Sequence, residues 1–353
     1  MFIRILVPLD GSLLAERAIP HAMQFARIFG AKIILVHVLN PISYQENPDA
    51  IDPLKWQIRK VEADVYMQGI TNRLCQELDE ETPAKKLPKD EELKERSPRV
   101  EYFVLEGKIA ESIINFGHSE KIDLLVISTH GSSGLSRWNM SSVTQKVIDM
   151  IYLPILVIRS YNQSEAEPTQ KSYHRILLPI DSSRRAECSL SAGIALARGE
   201  TKKKIKGDEI STTTKLVLAA VIKPPEIPIP KPYPVEIEKL TEQLMQVSRQ
   251  AVNSYLQEMK ERLPVESESA VVENDSVFSA IQELADQDAD IDLVVLCAHG
   301  HTGQATWPYG TVSRNYIEQG TKNVLIIQDL PRSKVKPSAA ELAFEKAGGD
   351  KHD

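Results

Sequence analysis

The sequence predicts an α/β protein made of two doubly wound domains, each a five-stranded parallel sheet with helices on both faces. Three observations carry that expectation. Short apolar runs alternate with amphipathic stretches, the pattern of strands joined by crossover helices. The opening Arg4-Ile5-Leu6-Val7-Pro8-Leu9-Asp10 returns as Arg175-Ile176-Leu177-Leu178-Pro179-Ile180-Asp181, Val126-Ile127-Ser128-Thr129-His130-Gly131 returns as Val295-Leu296-Cys297-Ala298-His299-Gly300, and Ser141-Ser142-Val143 is answered by Gly310-Thr311-Val312. Offsets of 169 to 171 residues, held over such distances, indicate a duplication rather than chance. Finally, 353 residues suffice for two cores, and two copies are too few for a solenoid, so each copy must fold as its own domain.

Each element has a local reason. Phe2 to Leu9 is a continuous apolar run, as a parallel strand covered on both faces requires. Ser12 can cap the following helix, with Glu16 near its positive end. That helix carries Ala18, Ala22, Phe25, Ala26 and Phe29 at helical spacing and stops at Gly30, while Pro20 should kink it unless the helix starts late. Residues 33–39 form the second strand. A long helix then places Ile58, Val61, Val65, Leu74 and Leu78 on its apolar side. Strands at 100–105, 124–128 and 155–158 complete the first copy, with helices near 109–116 and through Val143, Val147, Ile148 and Ile151 between them. The second copy places its strands near 175–180, 215–222, 265–272, 292–297 and 323–328. The expected domains are 1–160 and 174–330, with a polar linker at 161–173 and a polar, disordered tail at 331–353. Charged residues 80–98 and the Lys- and Thr-rich stretch 200–213 are insertions. The proline run 224–234 reads as an extended, stiff connector.

Composition narrows the function classes. The net charge of −7, with no dense basic stripe, argues against a nucleic-acid partner, because phosphate neutralisation needs clustered Lys and Arg. Three scattered cysteines, Cys75, Cys188 and Cys297, are no disulfide framework and fit a reducing compartment. The run Ile3 to Leu9 is too short for a signal peptide and no segment reaches transmembrane length, so a cytoplasmic location without a membrane partner is expected.

In a doubly wound sheet, ligands bind beyond the carboxyl ends of the strands where the strand order reverses. Two features of each copy fall there. Asp10 and Asp181 end the first strands, and glycine-containing loops follow the fourth strands into helices that open with Ser142 and Thr311. A helix N-terminus offers unpartnered N–H groups and a positive dipole to phosphate. The hydroxyls of Ser142 and Thr311 can add donors, and an aspartate can accept from ribose hydroxyls. The alternative reading of the aspartates is that they brace the following turns. There is no P-loop and no dinucleotide fingerprint. Cys297, His299 and His301 alternate along one strand end without a fourth ligand, which makes a metal site a poor reading; Cys297 reads better as core and the histidines as loop lining.

Around these residues the chain resembles a tandem universal stress protein. The resemblance rests on Val7-Pro8-Leu9-Asp10-Gly11-Ser12, on His37-Val38 and on Ser128 through Val143, and it covers most of 1–160 and 174–330. It implies a Rossmann-like, adenine nucleotide alpha hydrolase-like fold, ATP or AMP as ligand with or without Mg2+, and a stress-response regulatory role. The family's ATP-binding members carry Gly, two residues, Gly, nine residues, then Gly and Ser or Thr. Here those positions read Ser128, Gly131, Ser141 and Ser142 in one copy and Cys297, Gly300, Gly310 and Thr311 in the other. The first copy keeps one glycine and the second two, so the glycine pattern favours the second as the phosphate cradle, and Ser141 would be strained if its position needs a positive φ. The family rests adenine on the strand end that here reads His37-Val38 and Ala220-Val221. Carried onto both copies, the candidate ligand-binding residues are Pro8, Leu9, Asp10, Val38, Ser128, His130, Gly131, Ser141, Ser142 and Val143, and Pro179, Ile180, Asp181, Val221, Cys297, His299, Gly300, Gly310, Thr311 and Val312. His130 and His299 are expected either to touch phosphate or to hold a structural hydrogen bond. Family dimers pair their fifth strands, so 155–158 and 324–327 are expected to pair within one chain as a pseudo-dimer, with a homodimer as a further possibility. No catalytic residue and no metal ligand are assigned. Two alternatives stand beside nucleotide-binding regulation: a slow ATP-hydrolysing or autophosphorylating enzyme, and a nucleotide-free scaffold.

Overall fold

The computed structural model describes residues 1–41, 53–80, 99–130, 140–160, 172–199, 203–205, 208–210, 214–301 and 308–329. The chain divides into two units, Met1–Lys171 and Ser172–Asp353. Residues 161–171 of the expected linker 161–173, most of the charged insertion and the tail from 330 lie outside the described residues.

Unit 1 runs β1 (Arg4–Pro8), α1 (Leu13–Glu16), α2 (Ala18–Phe29), β2 (Lys32–Leu39), α3 (Pro53–Glu80), β3 (Val100–Glu106), α4 (Ile109–Ser119), β4 (Leu124–Ser128), α5 (Ser142–Ile151) and β5 (Ile155–Ile158). All its strand pairings are parallel: β1 lies between β2 and β4, β3 flanks β2, and β5 flanks β4. The chain winds outward through β2 and β3, then crosses back to β4, so the switch point falls between β1 and β4. Ile5, Leu6 and Val7 are fully buried, which is why β1 is continuously apolar rather than alternating. Each such side chain contributes about 1.5–3 kcal/mol relative to exposure. The outer strand β3 is wetter, with Phe103 at its surface. Phe2 closes the bottom of the core edge-on against Phe29, with ring centroids 4.9 Å apart.

Two helices differ from the sequence expectation. The first helix is split at Arg17, so Pro20 falls in the opening turn of α2, where its missing N–H costs no helical hydrogen bond. Ser12 caps α1 by accepting from Ala15 N, and Gly30 ends α2 at φ 66°. On α3 the expected apolar side is only half right. Leu74 and Leu78 are buried, but Ile58, Val61 and Val65 face solvent at 48%, 61% and 62% exposure. The helix instead sets Ala63, Met67, Ile70, Leu74 and Leu78 against β2 and β3. It carries two apolar stripes, and packing selects the one continuous with Leu74 and Leu78.

Unit 2 repeats the plan as β6 (Arg175–Pro179), α6 (Cys188–Arg198), β7 (Lys203–Ile205), β8 (Asp208–Ile210), β9 (Lys215–Ile222), α7 (Val235–Arg262), β10 (Ser267–Glu273), α8 (Val277–Gln287), β11 (Ile291–Cys297), α9 (Thr311–Gln319) and β12 (Asn323–Ile327). Here β6 lies between β9 and β11, with β10 and β12 beyond them, and the switch point falls between β6 and β11. Within the insertion 200–213, β7 and β8 pair antiparallel as a hairpin that the sequence did not announce. Residues 223–234 carry no helix or strand.

The duplication extends to side-chain contacts. Asp123 accepts from the backbone N–H of Ile3 at 2.9 Å, and Asp292 accepts from that of His174 at 3.0 Å. Tyr66 of α3 donates to Glu16, and Tyr255 of α7 donates to Glu187. Burial and the adjacent carboxylate raise both phenols above the ordinary tyrosine range, so they stay protonated donors.

Candidate functional site

In unit 1 the switch point opens into a cavity of about 190 Å3. Its lower wall is the end of β1 and the following turn, Pro8, Leu9 and Asp10. Val36 and Val38 on β2 supply one apolar side, and Ile109 and Ile113 on α4 another. The far wall is the end of β4, Ile127 and Ser128, with His130 beyond it. Ser141, Ser142, Val143 and Thr144 close it with the first turn of α5. Nine of the ten residues that the sequence nominates in this copy therefore line one space, and the tenth, Gly131, lies outside the described residues. Sequence reasoning missed Ala15, Val36, Ile109, Ile113, Ile127 and Thr144, which belong to amphipathic or apolar runs with no chemical signature.

Local geometry explains how these groups are held. Asp10 Oδ1 accepts from both the backbone N–H and the hydroxyl of Ser12, so the turn-bracing role is present. The turn passes through Gly11 at φ 83°. His37 donates its Nδ1 proton to the Leu9 carbonyl at 2.9 Å. Burial lowers its pKa, with the carbonyl and Asp10 opposing, so the ring is neutral at pH 7. Ser141 has φ −59°, so this serine is unstrained where the family pattern has glycine. Its hydroxyl caps α5, accepting from Thr144 N at 3.1 Å and donating to Thr144 Oγ1 at 2.9 Å. Thr144 in turn donates to the Ser128 carbonyl. The N–H groups of Ser142 and Val143 come before the first residue able to make an intrahelical bond, so they are the donors α5 presents to the cavity. The buried His130 ring meets Thr129 Oγ1 at 2.9 Å and Ser160 Oγ at 3.3 Å.

Unit 2 assembles the corresponding residues differently. Asp181 Oδ1 accepts from Ser183 N, as Asp10 Oδ1 does from Ser12 N, and its Oδ2 accepts from the His301 N–H at 2.6 Å. Gly300 lies so close that a Cβ there would stand 2.5 Å from Asp181 Oδ2. Gly300 and His301, just after β11, thus lie against the aspartate. Buried His299 pairs through Nδ1 with Asp329 Oδ1 at 2.7 Å, where unit 1 has Ser160 beside His130. Gly310 has φ −69° and precedes α9 without a side-chain cap. Ser313 anchors the Cys297 carbonyl as Thr144 anchors that of Ser128. Pro179 and Ile180 end β6 and lead into Asp181, Val221 lies near the end of β9, and Thr311 and Val312 open α9. Among the described residues no cluster of three His, Cys, Asp or Glu is arranged to hold a metal ion, and no helix is long and apolar enough to cross a membrane.

Comparison with known proteins agrees with this architecture. The Universal stress protein family model matches residues 1–159 and again 172–328. Universal stress protein MJ0577 of Methanocaldococcus jannaschii is 26% identical over 162 residues, covering 46% of this chain and 98% of that protein. Universal stress protein MJ0531 of the same organism is 28% identical over 159 residues, covering 45% and 83%. Among solved structures, the functionally unknown protein PA1789 of Pseudomonas aeruginosa superposes with a TM-score of 0.59 at 14% identity, over 98% of this chain and 96% of that one. A universal stress protein from Archaeoglobus fulgidus does so with a TM-score of 0.53 at 14% identity, over 93% and 98%. At such identities the structures speak for the fold alone.

Proposed function

The chain belongs to the Universal stress protein family, and from that premise we propose that unit 1 binds an adenine nucleotide, ATP or AMP with or without Mg2+, as the input of a cytoplasmic stress-response regulator. The observation that carries this reading is the convergence of Pro8 to Asp10, Val38, Ser128, His130 and the start of α5 on one cavity. Its apolar sides, Leu9, Val36, Val38 and Ile113, suit a planar base. Asp10 suits ribose hydroxyls, and the N–H groups at the start of α5 suit phosphate.

This choice of unit reverses the glycine pattern. Unit 2 keeps more glycines, but Asp329 sets a carboxylate beside His299 where unit 1 has the neutral Ser160 beside His130. That carboxylate opposes an incoming phosphate. We therefore take unit 2 as the partner domain. The pairing of 155–158 with 324–327 within one chain belongs to the same proposal; paired cysteines introduced on the two strands should cross-link intramolecularly in dilute solution, and failure to do so would remove it.

Calorimetric titration of the full chain with ATP and AMP tests the nucleotide reading. Asp10→Ala is expected to weaken binding about tenfold or more, as loss of a charged hydrogen-bond acceptor should. Asp181→Ala should leave it unchanged. No saturable binding by the wild-type chain would favour the scaffold alternative. Labelled phosphate released faster than by Asp10→Ala would favour the enzyme.

A further inference from the structure

We propose that Cys188 and Cys297 form an oxidisable dithiol, a reversible disulfide site confined to unit 2. The two residues stand 109 apart in sequence, yet the Cys188 thiol donates to the Cys297 sulfur with Sγ atoms 2.8 Å apart. Both are free thiols in this structure. A disulfide needs about 2.05 Å, so closure asks for a shift of roughly 0.8 Å, within the reach of side-chain torsions. Cys188 is the first residue of α6 and Cys297 the last of β11. α6 follows the Asp181 turn and β11 leads to His301, whose N–H bonds Asp181, so the bond would tie together the two segments that meet at Asp181. The corresponding positions of unit 1 hold Arg17 and Ser128, neither of which carries a thiol. The third cysteine, Cys75, lies on α3 in the other unit.

The chemistry balances with a peroxide as oxidant. Cys188 is half-buried and Cys297 buried, so the oxidant reaches Cys188 first. Its sulfur attacks one peroxide oxygen, the O–O bond breaks, and a sulfenic acid and water result. The Cys297 sulfur then attacks the sulfenic sulfur, the S–O bond breaks and a second water leaves. Two thiols and one peroxide give one disulfide and two waters, with two electrons passing from sulfur to the peroxide. Nothing in this step rests on nucleotide binding.

The test treats the full chain with hydrogen peroxide, alkylates it with iodoacetamide in denaturant, and maps peptides by mass spectrometry. The expected product is a peptide pair joined through Cys188 and Cys297, two hydrogens lighter than its separate thiol forms and restored by dithiothreitol. Cys188 and Cys297 should be lost from the alkylated pool together, because the buried Cys297 is oxidised through the sulfenic acid formed on Cys188. With Cys297→Ser, Cys188 should stop at a sulfenic acid that dimedone traps; with Cys188→Ser, Cys297 should remain a thiol. If a variant fails to fold, the wild-type map decides alone. Both cysteines alkylated at every peroxide dose, a Cys188 sulfinic acid with Cys297 still a thiol, or a cross-link through Cys75 would each overturn the proposal.

Discussion

Exchanging residues between the two aspartate turns should move stability in opposite directions. Gly11 follows Asp10 at φ 83°, and Ser182 follows Asp181 at φ 62°. The left-handed region costs a residue with a Cβ about 1–2 kcal/mol. Glycine avoids that cost but gives back about 0.5–1 kcal/mol through the greater freedom of its unfolded chain. Ser182→Gly should therefore stabilise unit 2 by about 0.5–1 kcal/mol, and Gly11→Ser should destabilise unit 1 by a similar amount. Apart from its chain neighbours, no atom of the described residues lies within 4 Å of a Cβ built on Gly11, so the second effect is conformational and not a clash. For domains of this size 1 kcal/mol moves Tm by about 2–4 °C, so shifts of roughly 1–4 °C of opposite sign are expected. Scanning calorimetry and urea titration of the three proteins measure them. Ser182→Ala is the control, because alanine keeps the Cβ. If it stabilises as much as Ser182→Gly, or if Gly11→Ser is neutral, the backbone explanation is wrong.

Two further expectations concern histidines, His299 buried and His37 half-buried. Asp329→Ala removes the acceptor of His299 Nδ1 at a site where both side chains are at most 2% exposed, and should cost about 1–3 kcal/mol. Asp329→Asn keeps an acceptor and should recover most of it, so equal losses by urea titration would deny the hydrogen bond its role. His37 has its pKa lowered by burial, so between that value and the ordinary 6.5 the unfolded chain binds more protons than the folded one. Its contribution is complete above about pH 6.5 and is lost as pH falls through that value towards the folded pKa. The urea midpoint should fall between pH 7 and 5 more steeply for wild type than for His37→Asn; identical slopes would exclude the histidine.

Much of this architecture is legible in the amino-acid order. Ile5, Leu6 and Val7 announce a central strand because burial on both faces leaves no room for polar residues. Gly30 marks the end of α2 because the left-handed cap favours glycine. Asp10 and Asp181 can be placed at the switch points because the alternation of strands and helices implies a sheet in which the first and fourth strands lie side by side. Periodicity is ambiguous on α3, where two apolar stripes satisfy the same helical spacing and only the one packed on β2 and β3 is buried. The glycine pattern is a weaker guide to the site than it looks. Neither Ser141 nor Gly310 has a positive φ, so a serine serves there and even supplies a helix cap.

The sequence by itself determined the duplication, the order and type of the principal elements, and the strand ends on which a ligand would sit. These follow from short-range patterns of apolar spacing, caps and turns, repeated at a nearly constant offset. Only the tertiary structure decided what the two copies make of that plan. That Asp10 borders a cavity with the end of β4 and the start of α5, and that Asp181 accepts from the His301 N–H, depends on side chains and backbone brought together across more than a hundred residues. The meeting of Cys188 with Cys297 is of the same kind. Such contacts are set by sheet order and helix docking, and no local spacing encodes them.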